Sequence, residues 1–348
     1  MRLLVLGGAW LLGRLVAEDS LSRGFDVTVF NEGRGADSLP RGVRYIRGDR
    51  RLDADLHALA KSGPWDVVVD ISGKAPAVVR RSVRALAQVA GRYVSVSAVS
   101  VYREWPDVPV DEDSPLWAGD ADFDPGAPPW EPDVYGRMKA GCEMVCRDAF
   151  GDDGLLILRL HTIIGQYDDD GPLLWWLNRM RRGGPVLVPA PDRAIQPVDV
   201  RDLCRFLVDQ VQRGTTGAFN VAAPADGRTY GAMVQACAEV VAADAAAEPE
   251  LVWADEDWLA DQGVRPWTEL PLWHNAAAAW EVSADRAVAV GLRCRPLVDT
   301  ASGTWRWLNS GVRKVDRERI TRYGIDPARE AEIIARWQAA MRRYGARP

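Results

Sequence analysis

The most constraining stretch of this 348-residue chain is at its start. Four apolar residues, Leu3-Leu4-Val5-Leu6, run directly into Gly7-Gly8-Ala9-Trp10-Leu11-Leu12-Gly13. A short apolar run without alternation is the pattern of a strand covered on both faces. Glycines between such a strand and a helical pattern make a tight turn whose N–H groups, with the helix N-terminus, face a phosphate. The helix pattern continues through Leu15, Val16 and Leu21 to Gly24, and Phe25–Phe30 is a second strand. A strand, glycine turn, helix and strand in about 30 residues is a mononucleotide-binding βαβ unit. The glycine signal departs from G-x-G-x-x-G, because Gly7 and Gly8 are adjacent, so its placement carries the reading. Gly7, Gly8, Trp10, Leu11 and Gly13 are its candidate cradle residues.

The end of the second strand chooses the nucleotide. A carboxylate there selects NAD, and a basic residue accommodates the 2′-phosphate of NADP. Asn31 holds the usual acidic position, and Glu32 and Arg34 pull opposite ways. The expectation is NADP, with NAD as the alternative. Val43–Ile46 reads as a third strand. After it, Asp49 is placed to meet an adenine and Arg50 to be a second anion contact. Helix 51–62 and strand 65–70 lead to Ser72-Gly73-Lys74, a small-residue loop expected over the diphosphate or ribose. Helix 75–90 and strand 93–97 follow. Strands alternating with helices at this spacing predict an α/β fold, a Rossmann-type doubly wound parallel sheet that binds ligands beyond its strand ends. The expected division is 1–165 for the nucleotide-binding domain, with elements near 186–221 returning to it. A smaller mixed α/β substrate-binding and C-terminal helical region covers 166–348.

A second stretch, Tyr135-Gly136-Arg137-Met138-Lys139, puts a phenol and an ammonium on one helix face. Gly7–Gly13, Gly48-Asp49-Arg50, the strand end Ser97–Tyr102 and Tyr135-x-x-x-Lys139 together resemble the extended short-chain dehydrogenase/reductase family, in its NAD(P)-dependent epimerase/dehydratase group. Arg159–Gly165 and Gln196–Leu203 continue the resemblance, which spans roughly residues 1–240. It implies an oxidoreductase, either a reductase or an epimerase/dehydratase, acting on a small-molecule carbonyl or alcohol. Tyr135 would move the substrate proton while the nicotinamide exchanges hydride. Lys139 would favour the tyrosinate and hydrogen-bond the nicotinamide ribose.

By the same resemblance His161 is cofactor-side, and Ala98, Tyr102, Arg193 and Gln196 are substrate-side. The family has Ser or Thr three residues before its Val-Tyr pair. Here that pair is Val101-Tyr102 and the position is Ala98. Either the neighbouring Ser97 takes over the hydrogen bond, or the donor is missing and the chain is a catalytically impaired dinucleotide-binding regulator or scaffold. Family members often pair through helices equivalent to 75–90 and 133–150, which implies a homodimer.

Composition narrows the classes. Net charge is -6 and the pI about 5.3, which argues against nucleic acid as a partner. No apolar run reaches the ~18 residues of a membrane span. The apolar N-terminus reads as the first strand rather than a leader, so a cytoplasmic protein is expected. Five scattered cysteines and three isolated histidines predict buried thiols and no metal. Asp168-Asp169-Asp170-Gly171 lacks calcium-loop spacing and reads as an acidic turn capping helix 172–182. Loop 102–132 is rich in carboxylates, read mostly as solvated. Five of 15 tryptophans, Trp253, Trp258, Trp267, Trp273 and Trp280, crowd one segment. They are expected to fill a core rather than to line a flat, apolar pocket.

Overall fold

The computed structural model describes residues 1–8, 11–33, 35–36, 39–126, 131–168, 171–189, 191–311 and 323–343. The chain forms two compact units. One comprises Met1–Ile163, Pro197–Pro224 and Glu281–Cys294, and the other Ile164–Gln196, Ala225–Trp280 and Arg295–Pro348.

The first unit is built on a seven-stranded sheet. Its strands are β1 (Arg2–Leu6), β2 (Asp26–Asn31), β3 (Arg44–Arg47), β4 (Trp65–Asp70), β5 (Ala90–Ala98), β6 (Leu155–Leu160) and a last strand, Gly217–Val221. From one edge the order is Gly217–Val221, β6, β5, β4, β1, β2, β3, and every pairing is parallel. The central strands are sealed on both faces: Leu3, Leu4, Val5 and Leu6 are at most 1% exposed. That burial is why they show no polar alternation. Helices α2 (Asp53–Lys61), α3 (Pro76–Leu86) and α4 (Pro132–Phe150) cover one face, where Leu56, Leu59, Val83 and Cys146 meet Leu4, Leu6 and Tyr93. Helix α1 (Leu11–Ser22) packs with helix Val200–Arg213. Asp199 caps the latter by accepting from Arg201 N at 2.8 Å, and Gly214, φ +73°, ends it.

The predicted first-domain elements stand within a few residues of their expected bounds. The return of Glu281–Cys294 to this unit departs from the expected division. Val282 bridges Val110, and Ser283 O accepts from the Asn220 side chain at 3.1 Å.

The second unit pairs two short parallel strands, Gly184–Val188 and Pro249–Trp253. Around them lie helices Pro172–Arg182, Tyr230–Val241, Leu297–Leu308 and Pro327–Arg343. Trp273 and Trp280 are buried in this core, and Trp253, Trp258 and Trp267 pack against it. The five clustered tryptophans are therefore core. Helix 172–182 starts on Gly171 without a side-chain cap. Asp169 and Asp170 lie outside the described residues. A buried ion pair, Arg179–Glu330 at 2.8 Å, ties helix 172–182 to helix 327–343.

Candidate active site

The glycine turn is fixed by close approach. Gly7 and Gly8 have φ of +106° and +84°, a region that L side chains rarely enter. A Cβ on Gly7 would stand 2.9 Å from Ile71 Cγ1. A Cβ on Gly13 would overlap both Gly8 Cα and Ile71 Cδ1. The turn, the first turn of α1 and the end of β4 thus touch with no room for side chains. Leu11, φ +39°, opens α1. Trp10 lies outside the described residues, as does Arg34.

Two expected ligand contacts are committed elsewhere. Asn31 donates from Nδ2 to Gly7 O at 2.9 Å, and its Oδ1 accepts from Gly33 N at 2.8 Å and Tyr45 OH at 3.0 Å. It braces the turn instead of facing a ribose. Arg50 points inward instead of toward an anion. It donates from Nη1 and Nη2 to the two oxygens of Asp70 at 2.9 and 2.7 Å, and also to Ser72 Oγ and Ser82 Oγ. Asp70 is 2% exposed. Burial works against its charge, but Arg50, with hydrogen bonds from Arg50, Tyr93 and Ser72, holds the carboxyl below the ordinary range. Burial and the adjacent Asp70 push the Tyr93 phenol well up. Sequence reasoning missed this pair. The available signal was a carboxylate ending the buried run Val67-Val68-Val69, which demands a cation.

Ser72 also serves the frame, with its N–H donating to Asp70 Oδ1 at 3.0 Å and its hydroxyl to Leu6 O at 3.3 Å. Lys74 is exposed on the same loop. Asp49 does stay at the surface. Arg51 holds its carboxyl below the usual range by side-chain and backbone hydrogen bonds. Arg51 also reaches Glu32 at 3.1 Å.

The phenol–ammonium pair is assembled on α4. Two glycines let this helix approach: a Cβ on Gly136 would overlap Ser100 O, and one on Gly141 would overlap Asp120 O. Lys139 is 6% exposed and donates to Gly73 O at 2.8 Å and Val96 O at 3.1 Å. An ammonium has three donors, so one N–H is left after these two bonds. Its Nζ lies 5.8 Å from the centre of the half-buried Tyr135 ring. Register ties this to the cradle, since Leu6 pairs with Asp70 and Asp70 with Ser95. Gly7 and Gly73 therefore follow the ends of β1 and β4, and Val96 lies two residues before the end of the adjacent β5.

Beside the pair, Ala98 ends β5 and offers no hydroxyl. Ser97 and Ser100 flank it, 4% and 7% exposed, and neither Oγ has a hydrogen-bond partner among the described residues.

Tyr102 is fully buried, which corrects its expected substrate-side place. Its hydroxyl donates to Asn220 Oδ1 at 2.7 Å and accepts from Arg159 Nη1 at 2.9 Å. Burial pushes the phenol up to about 12 against the pull of Arg159. Arg159 in turn is bound by both oxygens of Glu143 at 3.1 and 2.8 Å. His161 accepts at Nδ1 from Thr162 N at 2.7 Å and meets Trp105 edge-on at 5.9 Å. Arg193 and Gln196 belong to the second unit. Arg193 is bound by Glu256, which also accepts from Trp273 Nε1, so its guanidinium is committed inside that unit. Gln196 is 4% exposed.

Among the described residues, no three His, Cys, Asp or Glu side chains converge on a metal position. All five cysteines are free thiols, and four are buried. Among the described residues, no helix is long and apolar enough to cross a membrane.

No family model and no curated protein sequence matches the chain. Solved structures do match in fold. The NAD+ complex of the Bordetella bronchiseptica enzyme WbmH is similar with a TM-score of 0.67 at 19% identity, over 89% of this chain and 98% of that one. UDP-glucose 4-epimerase of Thermus thermophilus, solved with NAD, gives 0.63 at 19% identity, over 90% and 100%. UDP-glucose 4-epimerase of Thermotoga maritima, solved with UDP-glucose, gives 0.66 at 16% identity, over 90% and 100%. The chain shares the Rossmann-type fold of these solved structures.

Proposed function

We propose that the chain is an NAD(P)-dependent oxidoreductase of the extended short-chain type, a reductase or an epimerase/dehydratase acting on a small-molecule carbonyl or alcohol. One observation carries this reading. The glycine turn and the Tyr135–Lys139 pair converge on one sheet edge, with the Lys139 ammonium anchored at Gly73 O and Val96 O. Ligands of open α/β sheets bind at that edge. At Gly7 and Gly13 a Cβ would overlap its neighbours, which fits a dinucleotide phosphate held by backbone groups.

When bound, the nicotinamide would supply the hydride acceptor or donor. The chain's own residues handle the proton. Tyr135, exposed on one side, would take or return the proton of the substrate oxygen. Lys139, with its remaining N–H, would hold a ribose hydroxyl and favour the tyrosinate by its charge.

NADP is the proposed cofactor, with NAD the alternative. Glu32 would repel a 2′-phosphate, but its carboxylate is already paired with Arg51. The solved neighbours named above hold NAD where they hold a dinucleotide, so titration with both decides.

Ala98 favours a second reading, a dinucleotide-binding regulator that has lost catalysis, because the last position of β5 carries no hydroxyl. Tyr135→Phe separates the two readings when NADPH oxidation is followed at 340 nm across a panel of carbonyl compounds. Turnover in the parent and its loss in the variant, with nucleotide still bound, supports the enzyme. Nucleotide binding with no turnover in either protein supports the regulator.

A further inference from the structure

A cleft of about 420 Å³ lies within the second unit, between the last turn of helix 172–182 and helix 327–343. The size suits a small ligand. Ala331 and Ala335 line it from helix 327–343. They stand four residues apart, so they share one helix face, and their short side chains leave a groove along it. Ile334 and, from the other side, Pro185 add apolar surface.

The charges around the cleft do not balance. Arg179 and Glu330 both line it and are 6% and 5% exposed on their side chains. They are bound to each other at 2.8 Å. Glu330 also accepts from Leu187 N at 3.2 Å, and Arg179 also donates to Gly183 O at 3.1 Å and to Pro185 O. The one carboxylate is therefore committed. Arg182, exposed and on the same lining, has no hydrogen-bond or ion-pair partner among the described residues. Partial burial and the neighbouring Arg179 charge lower its guanidinium from the ordinary value, against the smaller pull of Glu330. Two guanidinium groups and one carboxylate leave the cleft with one positive charge to match. A guanidinium fork fits a carboxylate with two parallel hydrogen bonds.

We infer that this cleft binds a small monocarboxylate, its carboxylate held by the Arg182 guanidinium and its compact apolar body laid along the Ala331–Ala335 face. Gln338, also on the lining, offers an amide to the same ligand. The bound ligand would join the two helices that the Arg179–Glu330 pair already ties. All the residues of this site belong to the second unit, whereas the glycine turn and the Tyr135–Lys139 pair belong to the first. The inference therefore goes beyond the oxidoreductase reading and does not depend on it.

The test uses the full chain with benzoate as the probe, benzamide as its neutral isostere and inorganic phosphate as an anion without an apolar body. Binding is read by titration calorimetry and by ligand-observed saturation-transfer NMR. Benzoate is expected to bind, benzamide to bind at least about tenfold more weakly, and phosphate at equal concentration not to displace benzoate. Arg182→Gln is expected to weaken benzoate by about tenfold or more, the loss of a charge-assisted hydrogen-bonded pair. Ala335→Trp keeps the guanidinium and fills the groove, so it is expected to abolish binding. Both positions are exposed, and melting temperatures without ligand check that the variants fold. Benzoate is expected to raise the melting temperature of the parent and of neither variant. No benzoate binding to the parent, equal binding of benzamide, displacement by phosphate, or unchanged binding in either variant overturns the inference. None of these outcomes involves a nucleotide, so the oxidoreductase reading stands or falls separately, on the NADPH and NADH titrations.

Discussion

The Lys139 ammonium lies 5.8 Å from the centre of the Tyr135 ring, and it is fixed there by two backbone carbonyls of neighbouring strand ends. The lysine therefore has a structural role beside the chemical one proposed for it. Lys139→Met removes the donor from two buried carbonyls. Leaving buried groups unpaired costs about 1–3 kcal/mol. A lowered urea midpoint is expected, together with weakened nucleotide binding. Unchanged stability would mean that the tether is not formed.

The Arg50–Asp70 pair makes a different demand. Breaking a buried pair by removing one partner costs about 3–5 kcal/mol, so Arg50→Ala should be among the most destabilising single changes in the first unit. Because the Asp70 carboxyl titrates lower in the fold than in the unfolded chain, its stabilisation is present above the unfolded value, about 4. It is lost as pH falls through the folded value. Chemical denaturation of the parent and of Asp70→Asn should show a gap that is widest near neutrality and narrows in acid. A gap independent of pH would contradict the assignment.

Gly13→Ala places a methyl group where Gly8 backbone and Ile71 already sit. Since backbone cannot yield cheaply, the variant should lose nucleotide binding and stability together. Gly151→Ala is the control. Its φ of +64° with ψ of -179° is a region that side chains rarely enter, but nothing lies within 4 Å, so a loss of about 1–3 kcal/mol is expected, with binding intact. Thermal denaturation and nucleotide titration of the two variants check this.

Tyr102 supplies an alkaline signature. Its phenol titrates at about 12 because of burial, above the ordinary value near ~10. A raised folded value means that its stabilisation is complete below the unfolded value and is lost as pH climbs through the folded one. Absorbance at 295 nm should show a phenol that resists ionisation until about 12. Tyr102→Phe should remove that step and leave Arg159 and Asn220 without this partner. Titration of every phenol near the ordinary value would contradict the buried network.

Much of this fold was legible because burial on both faces writes itself into the sequence. Leu3–Leu6 and Trp65–Asp70 read as strands for that reason. Tyr135 and Lys139 were legible because helical spacing alone puts them on one face. Arg50, Asn31 and Arg193 were misread for a shared reason. Each has the chemistry of a ligand contact, but each is claimed by a partner that only the three-dimensional arrangement brings near: Asp70, Gly7 and Glu256. The return of Glu281–Cys294 to the first unit rests on isolated contacts such as Val282 with Val110, which leave no periodic trace.

The most direct test of the central claim is to purify the full chain, denature it, identify released nucleotide by mass spectrometry, and titrate the refilled or empty protein with NADPH and NADH. The account predicts that a nicotinamide dinucleotide is released or bound reversibly, NADPH more tightly than NADH, and that Gly13→Ala abolishes the binding. A protein that carries no dinucleotide and binds neither form would contradict it.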